Sequence, residues 1–263
     1  MKKIAIITLV SLLSVGAIAQ QKHHKSKSHS GGGTKHGVKS TGSLFMDFGI
    51  KGMIGSSLFI NSNLFEDNSY NHGITSSYAF GGKFALDFGE HAALVVEGLY
   101  GVVGQNFNIT DSIIGDWTKA IKLKSIDIPI LLRKNNPETG SYAEIGPQIS
   151  LLRGVTETTG GIATDYNQNY WSMVFGFGGY LWGTDNFGIS TGLRFVYTFQ
   201  DVLTTDEIAS YDGNSYMNNA RGYDSYQKTT PLSVFFVLEA NYDLGFIIAK
   251  NECTGRRKFL FYN

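Results

Sequence analysis

Eight segments of the chain alternate apolar and polar residues with a period of two, which is the pattern of a β-strand with two different faces. In the segment YAFGGKFALDF, residues of one parity are almost all apolar, and those of the other parity are small or charged. The same period predicts strands at 44–54, 76–88, 92–105, 121–133, 142–152, 170–182, 187–199 and 232–248.

Alternation alone also suits a soluble, secreted β-sandwich, whose apolar face would point inward. Two features favour a membrane barrel with its apolar face outward. Most of the segments reach eleven or more residues, whereas a tilted membrane strand needs about 9–11 and a soluble strand averages about 5–6. The polar face is rich in Gly, Ala and Ser, which suits a narrow lumen where side chains from all strands converge.

The connections between the segments alternate in length. Short ones lie at 89–91, 134–140 and 183–186, and long polar ones lie at 55–75, 106–120, 153–169 and 200–231. This arrangement predicts an all-β fold, an eight-stranded antiparallel up-and-down transmembrane β-barrel with short periplasmic turns and long external loops. We expect it in the outer membrane, with both termini on the periplasmic side.

Aromatic residues at the strand ends fit interfacial girdles. Four lie near the short turns and three near the long loops: Phe88, Trp182, Phe187, Phe246, and Tyr78, Trp171, Phe199. Other residues break the alternation. Lys122 and Lys124 share the lipid parity, so they lie above the hydrocarbon or the strand starts later; Phe235 and Val237 share the lumen parity.

The chain divides into four predicted regions. Residues 1–19 have a positive start, a short apolar run and an A-x-A site, as in a secretion signal peptide. Residues 20–41 form a basic linker rich in His, Gly and Ser, for which a solvated spacer and weak transition-metal binding stay open. The barrel is expected at 42–250, and 251–263 is either a periplasmic tail or a sheet extension at 258–262.

Composition agrees with a strand-rich membrane protein. Only 17% of residues are charged, 13% are aromatic and 32 are glycine. Residues 40–263 carry 15 bases and 22 acids, a net charge of −7, so nothing points to a nucleic-acid partner. Cys253 is the single cysteine, which excludes an internal disulfide framework.

Ten charged residues fall on the lumen parity of the predicted strands. An eight-stranded barrel is about wide enough for side chains to fill it, and buried charges need partners. We therefore predict a salt-bridged plug, with a gated ion path and a carboxylate-based site as alternatives. The ten residues are Asp47, Lys51, Lys83, Asp87, Glu97, Asp127, Arg133, Glu144, Arg194 and Glu239.

The predicted barrel offers little for catalysis. Its histidines are His72 in the first loop and His91 in a short turn, so no Ser/His/acid grouping can be derived from the spacing. Loop acids are Asp165, Asp201, Asp206 and Glu207. We expect no enzyme activity, no cofactor and no metal site in the barrel.

One block resembles a known family. The stretches SIDIPILL (Ser125–Leu132) and YAEIGPQ (Tyr142–Gln148), joined by a turn, resemble the PorT-like outer-membrane β-barrel domain. The resemblance implies the barrel fold and says nothing about an activity. It also implies that Tyr242, Leu244 and Phe246 in the last strand are read by the barrel-insertion machinery.

Three functions follow as hypotheses. The first is a non-enzymatic outer-membrane barrel with a structural or adhesive role through its loops. Its expected partners are outer-membrane lipid, with peptidoglycan or envelope proteins as further candidates. Tyrosines among small polar residues at 200–231 are a recognition composition: Tyr211, Tyr216, Tyr223 and Tyr226. The second is a barrel subunit of an envelope secretion or transport machine. The third is a lipid- or peptide-cleaving barrel enzyme.

Overall fold

A computed structural model describes residues 44–68, 70–73, 75–111, 115–158, 166–184, 186–204, 227–250 and 257–259. The predicted signal peptide and linker lie outside these residues. So do Cys253, most of the tail and residues 205–226 of the last long loop, including all four of its tyrosines.

The described residues form ten strands and one short helix. They are β1 (Leu44–Ile60), α1 (Ser62–Glu66), β2 (Tyr70–Gly73), β3 (Thr75–Phe88), β4 (Ala92–Asp111), β5 (Gly115–Asn136), β6 (Ser141–Glu157), β7 (Asn169–Gly183), β8 (Phe187–Thr198), β9 (Thr230–Lys250) and β10 (Arg257–Phe259). No described helix is long and apolar enough to cross a membrane.

Eight of the strands close into a ring. Each pairs antiparallel with its neighbour in the order β1-β3-β4-β5-β6-β7-β8-β9, and β9 pairs back onto β1. Outside the ring, β2 extends the sheet along β4, and β10 pairs with the end of β9. The predicted closed, eight-stranded antiparallel barrel is therefore confirmed. Part of the predicted sheet extension in the tail is present as β10.

The two ends of the barrel differ as the sequence predicted. At the short-turn end, β3–β4, β5–β6 and β7–β8 are joined by residues 89–91, 137–140 and 184–186. Gly89 and Gly140 have φ angles of 70° and 68°, which side chains with a Cβ rarely adopt, so glycine suits both turns. The opposite end, where the longer connections lie, is called the long-loop end below.

The long loops are shorter in the structure than the sequence predicted, because the strands continue into them. β1 continues to Ile60, β6 continues to Glu157, and the β4–β5 ladder runs out to the pair Asp111–Gly115. β5 has 22 residues, about 70 Å of chain, whereas the apolar band of a membrane barrel is about 25 Å tall. The strand is therefore longer than such a band requires, and hairpin pairing satisfies the backbone hydrogen bonds of the extra residues.

Burial alternates along the ring strands, with the larger apolar side chains facing outward. On β5 the outward residues Ile130 and Leu132 are exposed, whereas the inward residues Leu131 and Arg133 are buried. Aromatic side chains are exposed near both ends of the wall: Tyr78, Trp171 and Phe199 near the long-loop end, and Phe88 and Trp182 near the short-turn end. Phe235 and Val237 face the lumen and are buried there, as their parity indicated.

Candidate functional site

Seven of the ten predicted lumen charges meet in one ion-pair network, in the half of the barrel nearer the short turns. Every ring strand except β7 contributes one member. We call these residues the charge network: Lys51, Lys83, Glu97, Arg133, Glu144, Arg194 and Glu239. It joins four bases to three acids across the full width of the lumen.

Arg133 binds two carboxylates with its guanidinium group. Its Nη1 and Nη2 donate to Glu239 Oε1 and Oε2, both at 3.0 Å, and its Nη2 and Nε donate to Glu144 Oε2 at 2.8 and 3.1 Å. The guanidinium carbon lies 4.3 Å from the centre of the Tyr142 ring, in a cation–π contact. The planar fork of arginine suits this bidentate geometry.

Arg194 holds the opposite side of the network. Its Nη1 and Nη2 donate to Glu97 Oε2 and Oε1 at 2.6 and 2.9 Å, and its Nε donates to Glu144 Oε1 at 3.0 Å. Lys51 bridges Glu97 and Glu239, lying 2.9 Å from Glu239 Oε2. Each carboxylate of the network therefore has at least two cationic partners, as buried charges require.

Solvent does not reach the centre of this network. The side chains of Lys51, Glu97, Arg194 and Glu239 are all 0% exposed. A water-filled channel through this level would expose the charged groups that line it. The lumen is therefore closed at the level of these four side chains.

Glycines on β7 and β8 make room for the network. A Cβ on Gly176 would lie 2.8 Å from Glu144 Oε1, and a Cβ on Gly192 would lie 2.8 Å from the Tyr142 hydroxyl. A side chain at either position would displace a member of the network or the ring that covers it. The alternating glycines of β7 and β8 thus serve lumen packing.

The other three predicted lumen acids lie apart from the network. Asp87 is buried and Asp47 half-buried nearer the short turns, each with interactions of its own. Asp127 lies on the long-loop side of the network, where Ser125 Oγ donates to its Oδ1 at 2.8 Å. It borders a cavity of about 30 Å³, also lined by Gln148 and Tyr170, which is room for about two waters.

An apolar cluster fills the lumen at the long-loop end, and the sequence reading missed it. It combines inward residues of β1, β4, β5, β6 and β7 with residues of α1 and of the loops. Its buried members are Phe59, Leu64, Phe107, Ile109, Ile121, Leu123, Leu152, Tyr166, Tyr170, Val202 and Leu203. We call it the apolar cap.

The apolar residues of β5 change from the outward to the inward face of the strand, and this change in the sequence could have revealed the apolar cap. From Ile126 onward the apolar residues face outward, but at Lys122 and Lys124 the outward residues are charged, while Ile121 and Leu123 point inward. A strand in lipid is apolar outside, and a strand in water is apolar inside. A later strand start does not explain these lysines, because β5 begins earlier, at Gly115. The structure therefore fits the other explanation, in which the lysines lie above the apolar part of the wall.

The two histidines of the barrel lie at opposite ends of the wall, His72 on β2 at the long-loop end and His91 in a short turn. The His72 ring stacks on Phe65 with centroids 4.4 Å apart and meets Phe107 edge-on at 5.3 Å, while His91 is exposed in a short turn. Asp201 Oδ1 accepts from the backbone N–H groups of Leu203 and Thr229, which fixes the loop, and burial raises the pKa of its carboxyl above the ordinary value. The other three loop acids lie outside the described residues.

Within the described ranges, no group of three or more His, Cys, Asp or Glu residues is placed to hold a metal ion. The charge network is also poor in ligands for a cation, because each of its carboxylates is already bound by Lys or Arg. The arrangement can hold strands together and close a lumen. In chemical terms it is a set of buried charges that are paired with one another.

The chain matches no protein-family model and no curated protein. Among solved structures it is similar to the outer membrane protein OprG from Pseudomonas aeruginosa, with 11% identity, 80% of this chain and 98% of that chain covered, and a TM-score of 0.45.

Two further solved structures are similar at the same level. For Neisserial surface protein A, identity is 12%, coverage 74% and 96%, and the TM-score 0.39. For Ail, the attachment invasion locus protein of Yersinia pestis, identity is 10%, coverage 78% and 100%, and the TM-score 0.37. In this chain the barrel is closed by its own strand pairing, in which β9 pairs with β1.

Proposed function

We propose that the chain is an integral outer-membrane β-barrel with a sealed lumen, which acts without catalysis as an anchor that presents its long-loop end outside the cell. The observation that carries this proposal is the absence of solvent access to four charged side chains at the centre of the lumen, all 0% exposed. Such a barrel offers its outer surface and its loops for function, and no pore.

The outer surface of the barrel supports the membrane location in this proposal. Large apolar side chains cover this surface, and the two ends of the wall carry exposed aromatic residues. Water would oppose such a continuous apolar surface on a monomer, whereas lipid accepts it. With an even number of ring strands, short turns on the periplasmic side would put both ends of the barrel domain there too.

The extended β4–β5 hairpin supports the presenting role. Its outward residues beyond the wall are polar, for example Asn108, Thr110, Asp116 and Thr118, and they are exposed. Its inward residues are anchored in the apolar cap, so the hairpin offers a rigid polar surface. Adhesion to a partner through this surface is the role that we favour.

The proposal predicts that the reconstituted protein does not conduct ions. In planar bilayers containing the folded barrel, current traces should stay at the baseline of protein-free membranes over repeated insertions, because the charge network and the apolar cap both close the lumen. Reproducible conductance steps from the unmodified protein would contradict the sealed lumen. They would favour the gated ion path instead.

The resemblance of 125–148 to PorT-like barrels keeps one alternative, a subunit of an envelope secretion or transport machine. Purification from cross-linked membranes distinguishes the anchor from the machine subunit. An isolated barrel fits the anchor, whereas a fixed stoichiometry with other envelope proteins would favour the machine.

A further inference from the structure

Among the described residues, three bases on the outer wall near the long-loop end have no ion-pair partner. Lys122 and Lys124 lie on the outward face of β5, and Arg153 lies on the outward face of the adjacent strand β6. The ion pairs recorded among the described residues all involve inward side chains instead, such as Lys119 with Glu157. These three cations, which we call the rim bases, therefore have no carboxylate to neutralise them in the described part of the chain.

The sheet register brings the rim bases together. Lys124 lies opposite Gly154, the residue next to Arg153, and Lys122 lies opposite Thr156. Two residues along a strand span about 7 Å, and adjacent strands lie about 4.8 Å apart. The three charges therefore arise within about 10 Å of one another, the width of one lipid headgroup.

Glycines on the neighbouring strands let the lysine stems lie along the wall. A Cβ on Gly104 of β4 would lie 3.3 Å from Lys122 Cγ, and a Cβ on Gly154 would lie 3.9 Å from Lys124 Cδ. The aliphatic stems thus cover backbone while the ammonium groups reach outward. Lys122 and Arg153 are exposed and Lys124 is half-buried.

The rim bases lie where the apolar wall ends. The next outward residues of β5 are Ile126 and Ile128, and Leu151 is the partner of Ile126 on β6. At the corresponding ends of β3, β7 and β8, the outward residues are uncharged: Ser76, Tyr78, Asn169, Trp171 and Tyr197. Among these strands, the outward positive charge at the long-loop end is therefore concentrated on β5 and β6.

We propose that the rim bases bind the phosphate groups of a phosphorylated glycolipid in the outer leaflet of the membrane. This inference rests on the proposed outer-membrane location. Arginine and lysine make strong charge-assisted hydrogen bonds to phosphate, and arginine does so in a bidentate manner. A lipid is favoured over a soluble phosphate because it supplies its acyl chains to the apolar wall directly below the bases.

The test titrates the folded full-length protein in detergent micelles with bisphosphorylated lipid A and measures bound lipid by native mass spectrometry. A basic residue near an anionic membrane contributes about fivefold in binding, so Lys122→Gln/Lys124→Gln/Arg153→Gln should weaken binding by up to about 100-fold. The variant Lys122→Arg/Lys124→Arg should retain binding. Lipid A without phosphates should bind both proteins equally weakly.

The matched control is Lys134→Gln. Lys134 is exposed on the same strand and the same outward parity, at the short-turn end, and its variant should bind lipid A within about twofold of the unmodified protein. The proposal would be overturned if Lys134→Gln lost as much lipid A binding as the triple variant. Unchanged lipid A binding by the triple variant would also overturn it. Full competition by inorganic phosphate at the lipid's concentration would also overturn it, in favour of a soluble ligand.

The same samples separate this inference from the proposed function. Each variant is run unheated and boiled, since a closed barrel migrates as a compact form until it is boiled. A compact form with unchanged lipid binding in the triple variant would refute the lipid site alone. Loss of the compact form in the unmodified protein would refute the barrel itself.

Discussion

Replacing Glu239 by glutamine is expected to lower the free energy of unfolding by about 3–5 kcal/mol. Glu239 accepts from Lys83 Nζ at 2.5 Å and from both terminal nitrogens of Arg133 at 3.0 Å, and it lies 2.9 Å from Lys51 Nζ. Glutamine keeps the shape but removes the negative charge. The network would then hold four bases against two acids out of contact with water, where an uncompensated charge is costly.

The measurement is the urea midpoint of unfolding in lipid vesicles, followed by the fraction of compact protein on unheated gels. Glu138→Gln is the matched control, because Glu138 is exposed in a short turn and surface changes usually stay within about 0.5 kcal/mol. Asp127→Asn is a second comparison, since Asp127 is buried and its hydrogen-bond partners among the described residues are Ser125 and Ser150, with no base. Asp127→Asn should lower the free energy of unfolding by less than Glu239→Gln does. Equal effects of all three variants would refute the structural role of the network.

Replacing Ile50 by arginine is expected to destabilise the barrel by about 2–4 kcal/mol in a bilayer. Ile50 is 71% exposed near the middle of the outward row of β1, opposite Gly82 of β3 and Ala240 of β9. If lipid surrounds the wall, the arginine enters the hydrocarbon far from either headgroup layer. In water the same substitution at such an exposed site would be close to neutral.

Ser56→Arg is the control for Ile50→Arg. Ser56 has the same outward parity on the same strand, six residues closer to the long-loop end, about 20 Å along the chain. Near the interface an arginine should cost no more than about 1 kcal/mol. Both variants are compared by reversible unfolding from vesicles, and equal stability of the two would mean that Ile50 does not face lipid.

The barrel could be predicted because the pattern that produces it lies within each strand. A period of two is written into each strand, and residues such as Ile130 and Leu132 on one parity with Arg133 on the other already define two faces. The alternation of short and long connections gave the up-and-down order. The identity of the ten inward charges follows from parity alone.

The partners within the charge network could not be predicted, because they depend on three-dimensional closure. Arg133 of β5 meets Glu239 of β9 across the lumen, 106 residues apart in sequence. Their contact depends on strand tilt and on how far the register shifts around the ring. The exclusion of Asp127 from the network has the same origin.

The strand ends at the long-loop side were missed because the parity rule changes there. A β-bulge between Lys124 and Ser125 shifts the register of β5 against β6, and beyond it the apolar residues face inward. On β6 a search for one apolar parity therefore ends at Leu152 and assigns the rest of the strand, up to Glu157, to a loop. The apolar cap was missed because members such as Phe59, Phe107 and Ile109 fall in the predicted loops 55–75 and 106–120.

The most direct test of the account is a scan of lipid depth along β5. Spin labels are attached singly at outward positions 122, 124, 126, 128, 130, 132 and 134, in a Cys253→Ser background, and the protein is reconstituted in bilayers. Oxygen collision should peak at 128–130, while a water-soluble nickel reagent should reach 122 and 134. High nickel accessibility at all seven positions would contradict the account, because the apolar wall would then face water.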